Sequence, residues 1–253
     1  MRVILLLAAE ASILAAVLLH SRQIEGRLLR SDPNAIPNNA ALLPVAREHG
    51  EALYVTHCAA CHGQQGQGDT ERGIPNLTDD DWLYGMGSVS DIEQIVKYGI
   101  RSFNPKAWNL AIMPAYATAR PSVRNSSIRA LSPENIRDLA EFLVRDQGRA
   151  VDAAAAARGA ELFAGVGGCY DCHAVDGKGD PAIGAPNLTD RITLYGDGSR
   201  ESLSMSIAYG RHGVCPAWTA RMTAAEIREA AIFVYTLSHE PRRTETDTHA
   251  GPD

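Results

Sequence analysis

"CAACHGQQGQGDTERGIPNLTDDDWLYG" (residues 58–85) and "CYDCHAVDGKGDPAIGAPNLTDRITLYG" (residues 169–196) are two versions of one stretch. Laid over each other at a constant offset of 111, they continue without a gap to Gly99 and Gly210, with nineteen of forty-two positions identical. Solenoid repeats recur every 20 to 50 residues or so, so an offset of this size marks a duplicated domain. A chain of 253 residues suits two domains of about a hundred residues each. Both versions open on Cys-x-x-Cys-His, the pattern of covalent c-type haem attachment. Four of the five cysteines fall in the two motifs and leave Cys215 over. Paired disulfides are the alternative for a secreted chain, but they do not explain why a histidine follows each pair inside a longer repeat.

In this pattern two sulfurs one helical turn apart form thioethers to the haem vinyl groups, and the next residue lies over the ring. Cys58, Cys61 and His62 are therefore expected to hold one haem, and Cys169, Cys172 and His173 the other. A ligating histidine usually donates its second ring nitrogen to a carbonyl, which fixes the tautomer. Pro75 and Pro186, thirteen residues after each histidine, are the expected acceptors. Trp82, Tyr84 and Tyr195 are candidates to reach the haem propionates or to pack as core aromatics.

Beyond "YG" the copies differ in length. "IRSFNPKAWNLAI" precedes Met113-Pro-Ala-Tyr in the first, and only "RHGV" precedes Cys215-Pro-Ala-Trp in the second. Read in chain order, Met113 is the expected sixth ligand of the His62 haem, with Met86 the other methionine nearby. Cys215 is expected on the His173 haem, with Met205, His212 and Met222 as rivals. Histidine–methionine ligation raises the potential of a haem. A metal-bound thiol is deprotonated, and an anionic sulfur favours ferric iron, which predicts an asymmetric pair.

Helices are predicted around each motif. "LPVAREHGEALYVTH" and "AAAAARGAELFAG" precede the attachment sites, and Gly50 with Tyr54, or Gly159 with Phe163, fall on one face of each. "SPENIRDLAEFLVRD" begins with a Ser cap and Pro at the first helical position, and Thr223 with Glu226 makes a capping box for "TAAEIREAAIFVYTLS". Chain order then divides the sequence into a membrane anchor or signal (1–21), a linker (22–44), haem domains at 45–148 and 149–240, and a disordered tail (241–253). The anchor rests on the apolar run from Val3 to Leu19, about 25 Å long as a helix. Arg22, Arg27 and Arg30 behind it favour a cytoplasmic C-terminal side, whereas haem attachment to this motif occurs in the periplasm. The formal charge of −6 argues against nucleic acid, which asks for a basic face.

The doubled "PNLTD…LYG", with "CAACHG" and "GIPNLTDDDWLYG", resembles the diheme cytochrome c subunit (subunit III) of cbb3-type haem–copper oxidases over about residues 48 to 240. The resemblance implies an all-α fold of two tandem class I cytochrome c domains behind an N-terminal membrane-anchor helix. It implies two covalently bound haems c, placement in the periplasm on the bacterial inner membrane, and electron transfer from a soluble cytochrome c toward the oxygen-reducing subunit. The implied ligand set is attachment at Cys58, Cys61, Cys169 and Cys172, with His62, His173 and Met113 on the irons. Two departures accompany it: Cys215 stands where the family has a methionine before "PAW", and the family's region ahead of the spanning helix has no counterpart. The departure at Cys215 opens two alternatives to an electron carrier. One is an enzyme oxidising a sulfur compound such as thiosulfate at the His173/Cys215 haem; the other is a redox or gas sensor.

Overall fold

The computed structural model describes residues 15–16, 19–120, 128–149 and 152–239. It is helical, and the described residues contain no strand beyond isolated bridges. A helical segment at 19–30 leads into a 3-10 turn at Pro33–Asn38. The first copy then supplies α1 (Leu43–His57), the one-turn α2 (Ala59–His62) that carries the haem motif, α3 (Val89–Tyr98) and α4 (Pro133–Asp146). The second copy repeats them as α5 (Ala153–Ala164), α6 (Tyr170–His173), α7 (Arg200–Tyr209) and α8 (Ala224–His239).

Local chemistry sets the ends of these helices. Ser88, Ser132 and Ser199 cap α3, α4 and α7 by accepting from the amide three residues on, and Asp152 caps α5. Ahead of α8 the Glu226 carboxylate accepts from the Thr223 amide at 2.7 Å and the Thr223 hydroxyl accepts from the Glu226 amide at 3.3 Å, the reciprocal arrangement of a capping box. Gly99 and Gly210 end α3 and α7 with φ of 75° and 70°, a conformation that favours glycine.

The helices that pack together are not those of one copy. Along α1, Gly50 lets the chain close onto α8, where an added Cβ would stand 2.2 Å from the Glu229 carbonyl. Tyr54 of α1 meets Phe233 of α8 with ring centroids 5.2 Å apart. The second pair repeats this: at Gly159 of α5 a Cβ would lie 2.1 Å from the Asp138 carbonyl of α4, and Phe163 meets Phe142 at 5.2 Å. Thus the terminal helix of each copy covers the first helix of the other. One core gathers Leu28, Ile36, Tyr54, Val89 and Ile232; a second gathers Tyr116, Leu139, Phe163 and Ile207. The first unit is split along the chain, from the 19–30 segment to Gly99 and from Cys215 to α8, and the second, from Met113 to Gly210, is nested inside it. This packing does not follow the divisions 45–148 and 149–240 read from chain order.

The stretch 22–44 also differs from a free linker. Leu28 and Ile36 are fully buried, and Arg228 of α8 donates to the Leu28 and Ser31 carbonyls at 2.8 and 3.0 Å. The prolines and asparagines that suggested a linker form a capped 3-10 turn over α3, with Asn34 bonded to Ser90. Among the described residues no helix is long and apolar enough to cross a membrane. Most of the expected anchor, and the tail 241–253, lie outside the described residues.

Candidate haem sites

The first attachment turn follows directly from α1, and residues 165–169 separate α5 from the second. His62 and His173 donate their amides back to the Cys58 and Cys169 carbonyls, both at 2.9 Å, so each motif is one helical turn. That turn sets the two cysteines and the histidine on the pitch that thioether attachment requires. His173 Nδ1 lies 3.0 Å from the Pro186 carbonyl, the contact expected from spacing. A proton on Nδ1 leaves the Nε2 lone pair free for a metal. His62 Nδ1 is buried without a hydrogen-bond partner, while the Pro75 carbonyl nearby favours its protonated form. Burial pushes the pKa of both histidines below the usual value. Both are therefore held neutral, as ligation of iron requires.

The cysteines sit at the edges of the two cores, Cys58 against the first and Cys169 against the second. Burial, with a smaller contribution from Cys61, pushes Cys58 up to about 11. Cys169 is likewise pushed up to about 11 by burial. Apolar walls, paired thiols one turn apart and neutral histidines fit a covalently held haem in each unit.

The two expected distal residues lie in the units that chain order does not assign them to. Met113 packs in the second core, beside Cys169, Leu188 and Leu203. Its backbone pairs with Arg211 in both directions, at 3.1 and 3.3 Å. Tyr116, three residues on, donates its hydroxyl to the Gly167 carbonyl just ahead of the second attachment turn. Cys215 lies in the first unit instead. It pairs with Ile100 in both directions, at 2.9 and 3.0 Å. Burial, then charge on Cys58 and Cys61, pushes its pKa up to about 12, which places those thiols close by. Trp218 meets His57, next to the first motif, with tilted rings whose centroids are 5.1 Å apart. Of the other sulfur and imidazole candidates, Met86 and Met205 are exposed and Met222 is buried against Ile227 and Ala230.

Sequence reasoning also missed a reciprocal seam between the two sites. Tyr195 lies over Gly73, and Tyr84 over Gly184, so closely that a Cβ on either glycine would fall within about 2 Å of the ring. The Gly85 amide donates to the Pro181 carbonyl at 3.1 Å, and the Gly196 amide to the Thr70 carbonyl at 2.8 Å. These positions correspond at the offset of 111, so the seam has local two-fold character. Arg211 stands over the Tyr195 ring at 4.2 Å and Arg101 near the Tyr84 ring at 5.9 Å. The repeated Gly–Tyr pairs were the available signal.

Comparison with known proteins gives the family. The family description Cytochrome c matches residues 47–145, and that of cytochrome c oxidase, cbb3-type, subunit III, matches residues 154–234. The cbb3-type cytochrome c oxidase subunit CcoP of Cereibacter sphaeroides is 37% identical over 214 residues, covering 85% of this chain and 69% of the relative. CcoP of Rhodobacter capsulatus is 36% identical over 86% of this chain and 71% of its own. The FixP subunit of Azorhizobium caulinodans is 37% identical over 80% of this chain and 63% of its own. The chain belongs to the CcoP/FixP family of cbb3-type oxidase subunits. It comprises two cytochrome c domains, and its cofactors are two covalently bound haems c. A chain of the reducing HAO-like protein complex of Kuenenia stuttgartiensis matches at a TM-score of 0.21 and 18% identity, too low to bear on the fold.

Proposed function

We propose that this CcoP-like chain is held on the periplasmic side of the bacterial inner membrane by its N-terminal segment. There it takes electrons from a soluble cytochrome c or similar donor and passes them toward the catalytic subunit of a cbb3-type haem–copper oxidase. Family membership makes it a diheme electron-transfer cytochrome. Each haem iron, when bound, supplies a one-electron ferric/ferrous couple. The protein holds His62 and His173 neutral, orients His173 through Pro186, and packs apolar side chains against both attachment turns.

The observation that supports a relay within one chain is the seam. The "LYG" turn that follows each motif lies on the loop of the other unit, so the two sites are held against each other rather than on separate beads. The enzymatic and sensing alternatives drew on Cys215 alone, whereas the family likeness extends over most of the chain, and the carrier reading prevails.

The test uses the full chain matured with haem. Alkaline pyridine spectra should count two haems c per chain. A tagged chain should co-purify with a copper-containing oxidase that consumes oxygen with reduced cytochrome c as donor. One haem or none per chain, or purification without any oxidase, would overturn the proposal.

A further inference from the structure

We infer that Arg101 is a positioning residue for both haem sites: its guanidinium pins the loops that carry Met113 and Cys215 to each other, so that one side chain sets both haem potentials. The inference rests on the diheme carrier reading and adds to it a residue through which the two sites are tied.

The backbone at Arg101 gives the first sign. Its φ is 48°, in the left-handed region that residues with a side chain rarely adopt, and such strain persists only where surrounding contacts impose it. Three hydrogen bonds impose it here. The Arg101 amide donates to the Trp108 carbonyl at 2.9 Å, closing the 101–108 loop. Its Nε donates to the Gly213 carbonyl at 2.6 Å and its Nη1 to the Ala111 carbonyl at 3.0 Å. Gly213 lies two residues before Cys215 and Ala111 two residues before Met113, so one planar group bonds both loops. Backbone pairing ties Cys215 to Ile100 and Met113 to Arg211, and the guanidinium links the one pair to the other.

The side chain is committed to these carbonyls and not to an ion pair. Among the described residues no carboxylate lies within salt-bridge reach of it. It stands at the seam, its guanidinium carbon 5.9 Å from the centre of the Tyr84 ring. Tyr84 meets Trp108 at 5.6 Å, and the Trp108 indole donates to the Ala182 carbonyl of the second unit at 2.9 Å. The duplication supplies this clamp once: at the offset of 111 the second copy has His212, which is exposed. Lysine is no substitute, because it offers a single nitrogen where the guanidinium presents donors in several fixed directions.

The holoprotein and its Arg101→Gln, Arg101→Lys and Lys106→Gln variants are compared by potentiometric titration, haem count and thermal melting. In Arg101→Gln both ferric/ferrous equilibria should shift by about tenfold, about 59 mV each for a one-electron couple. The methionine-ligated haem, whose high potential depends on its sulfur, should fall. Arg101→Lys keeps the charge and should restore neither potential. Lys106→Gln removes an exposed cation of the same loop and should leave both where they are.

A shift of one potential with the other unmoved would overturn the linkage. Restoration by lysine would assign the effect to charge and overturn the positioning role, as would a lowered melting temperature with both potentials unmoved. Should Arg101→Gln fail to fold, Arg101→Gly removes the guanidinium while relieving the left-handed backbone, and the same two shifts are expected of it. A parent with fewer than two haems would overturn the carrier reading and this inference with it. Two haems whose potentials ignore Arg101 would overturn the inference alone.

Discussion

Gly50 and Gly26 are both helical glycines, and they are predicted to respond oppositely to alanine. Helix propensity alone favours alanine by about 1 kcal/mol. At Gly26 a Cβ meets only the flexible end of Arg30, so Gly26→Ala should leave the melting temperature unchanged or slightly raised. At Gly50 the Cβ would stand 2.2 Å from a backbone carbonyl of α8, which cannot swing away. Forcing the crossing apart costs about 3 kcal/mol, outweighs the propensity, and should appear as a clear drop in the thermal midpoint. The sequence shows Gly50 and Gly159 as small residues on a helix face. It does not show which helix each one faces, because the candidates α4 and α8 come from duplicated copies and both offer an apolar stripe.

Helix α8 ties α3 and the 19–30 segment together through one buried side chain. Arg228 donates to Glu93 of α3 at 2.6 Å and to the Leu28 and Ser31 carbonyls at the end of the 19–30 segment. Breaking a buried pair by removing one partner leaves the other charge uncompensated, at a cost of about 3–5 kcal/mol. Lys97 stays paired with Glu93, so Arg228→Met should destabilise the protein by less than that amount. Hydrogen exchange should quicken at the 19–30 segment, whose last carbonyls lose their donor, whereas α4 and α5 should stay protected because Asp138 and Arg158 form their own pair at 2.7 Å. Caps and periodicity made the helices legible one by one: Ser132, Pro133, Thr223 and Glu226 mark their starts where the structure has them. The ordered segment at 22–44 was not legible, since a short 3-10 turn with two prolines reads locally like a linker and only its burial under α3 and α8 distinguishes it.

For the molecule as a whole, nesting makes a prediction that chain order reverses. Ending the chain at Val214 removes Cys215 and α8. If the units were contiguous, the second would lose its covering helix and its ligand, and the first would be spared. With the observed packing the loss falls on the first unit, where α1 is left without a partner. The truncated holoprotein should keep one cooperative melt from the second unit and lose that of the first, with the environment of the haem attached there disturbed. Absorption spectra with thermal circular dichroism read both.

Residues 58–62 and 169–173 by themselves carry the expectation of two attached haems and name His62 and His173 as the histidines that would hold them, because that chemistry is contained within one helical turn. The family likeness follows the same linear information, and its two matched stretches lie in chain order. Which sulfur lies with which attachment turn is different in kind. After a duplication, Met113 and Cys215 occupy equivalent registers, and local propensity favours neither unit. The choice is made by long-range contacts: Gly50 closing on α8, Gly159 on α4, and the two ligand loops pairing beside Gly99 and Gly210. Only the tertiary structure carries those contacts, and they bring the odd cysteine beside Ile100 and near Cys58 and Cys61.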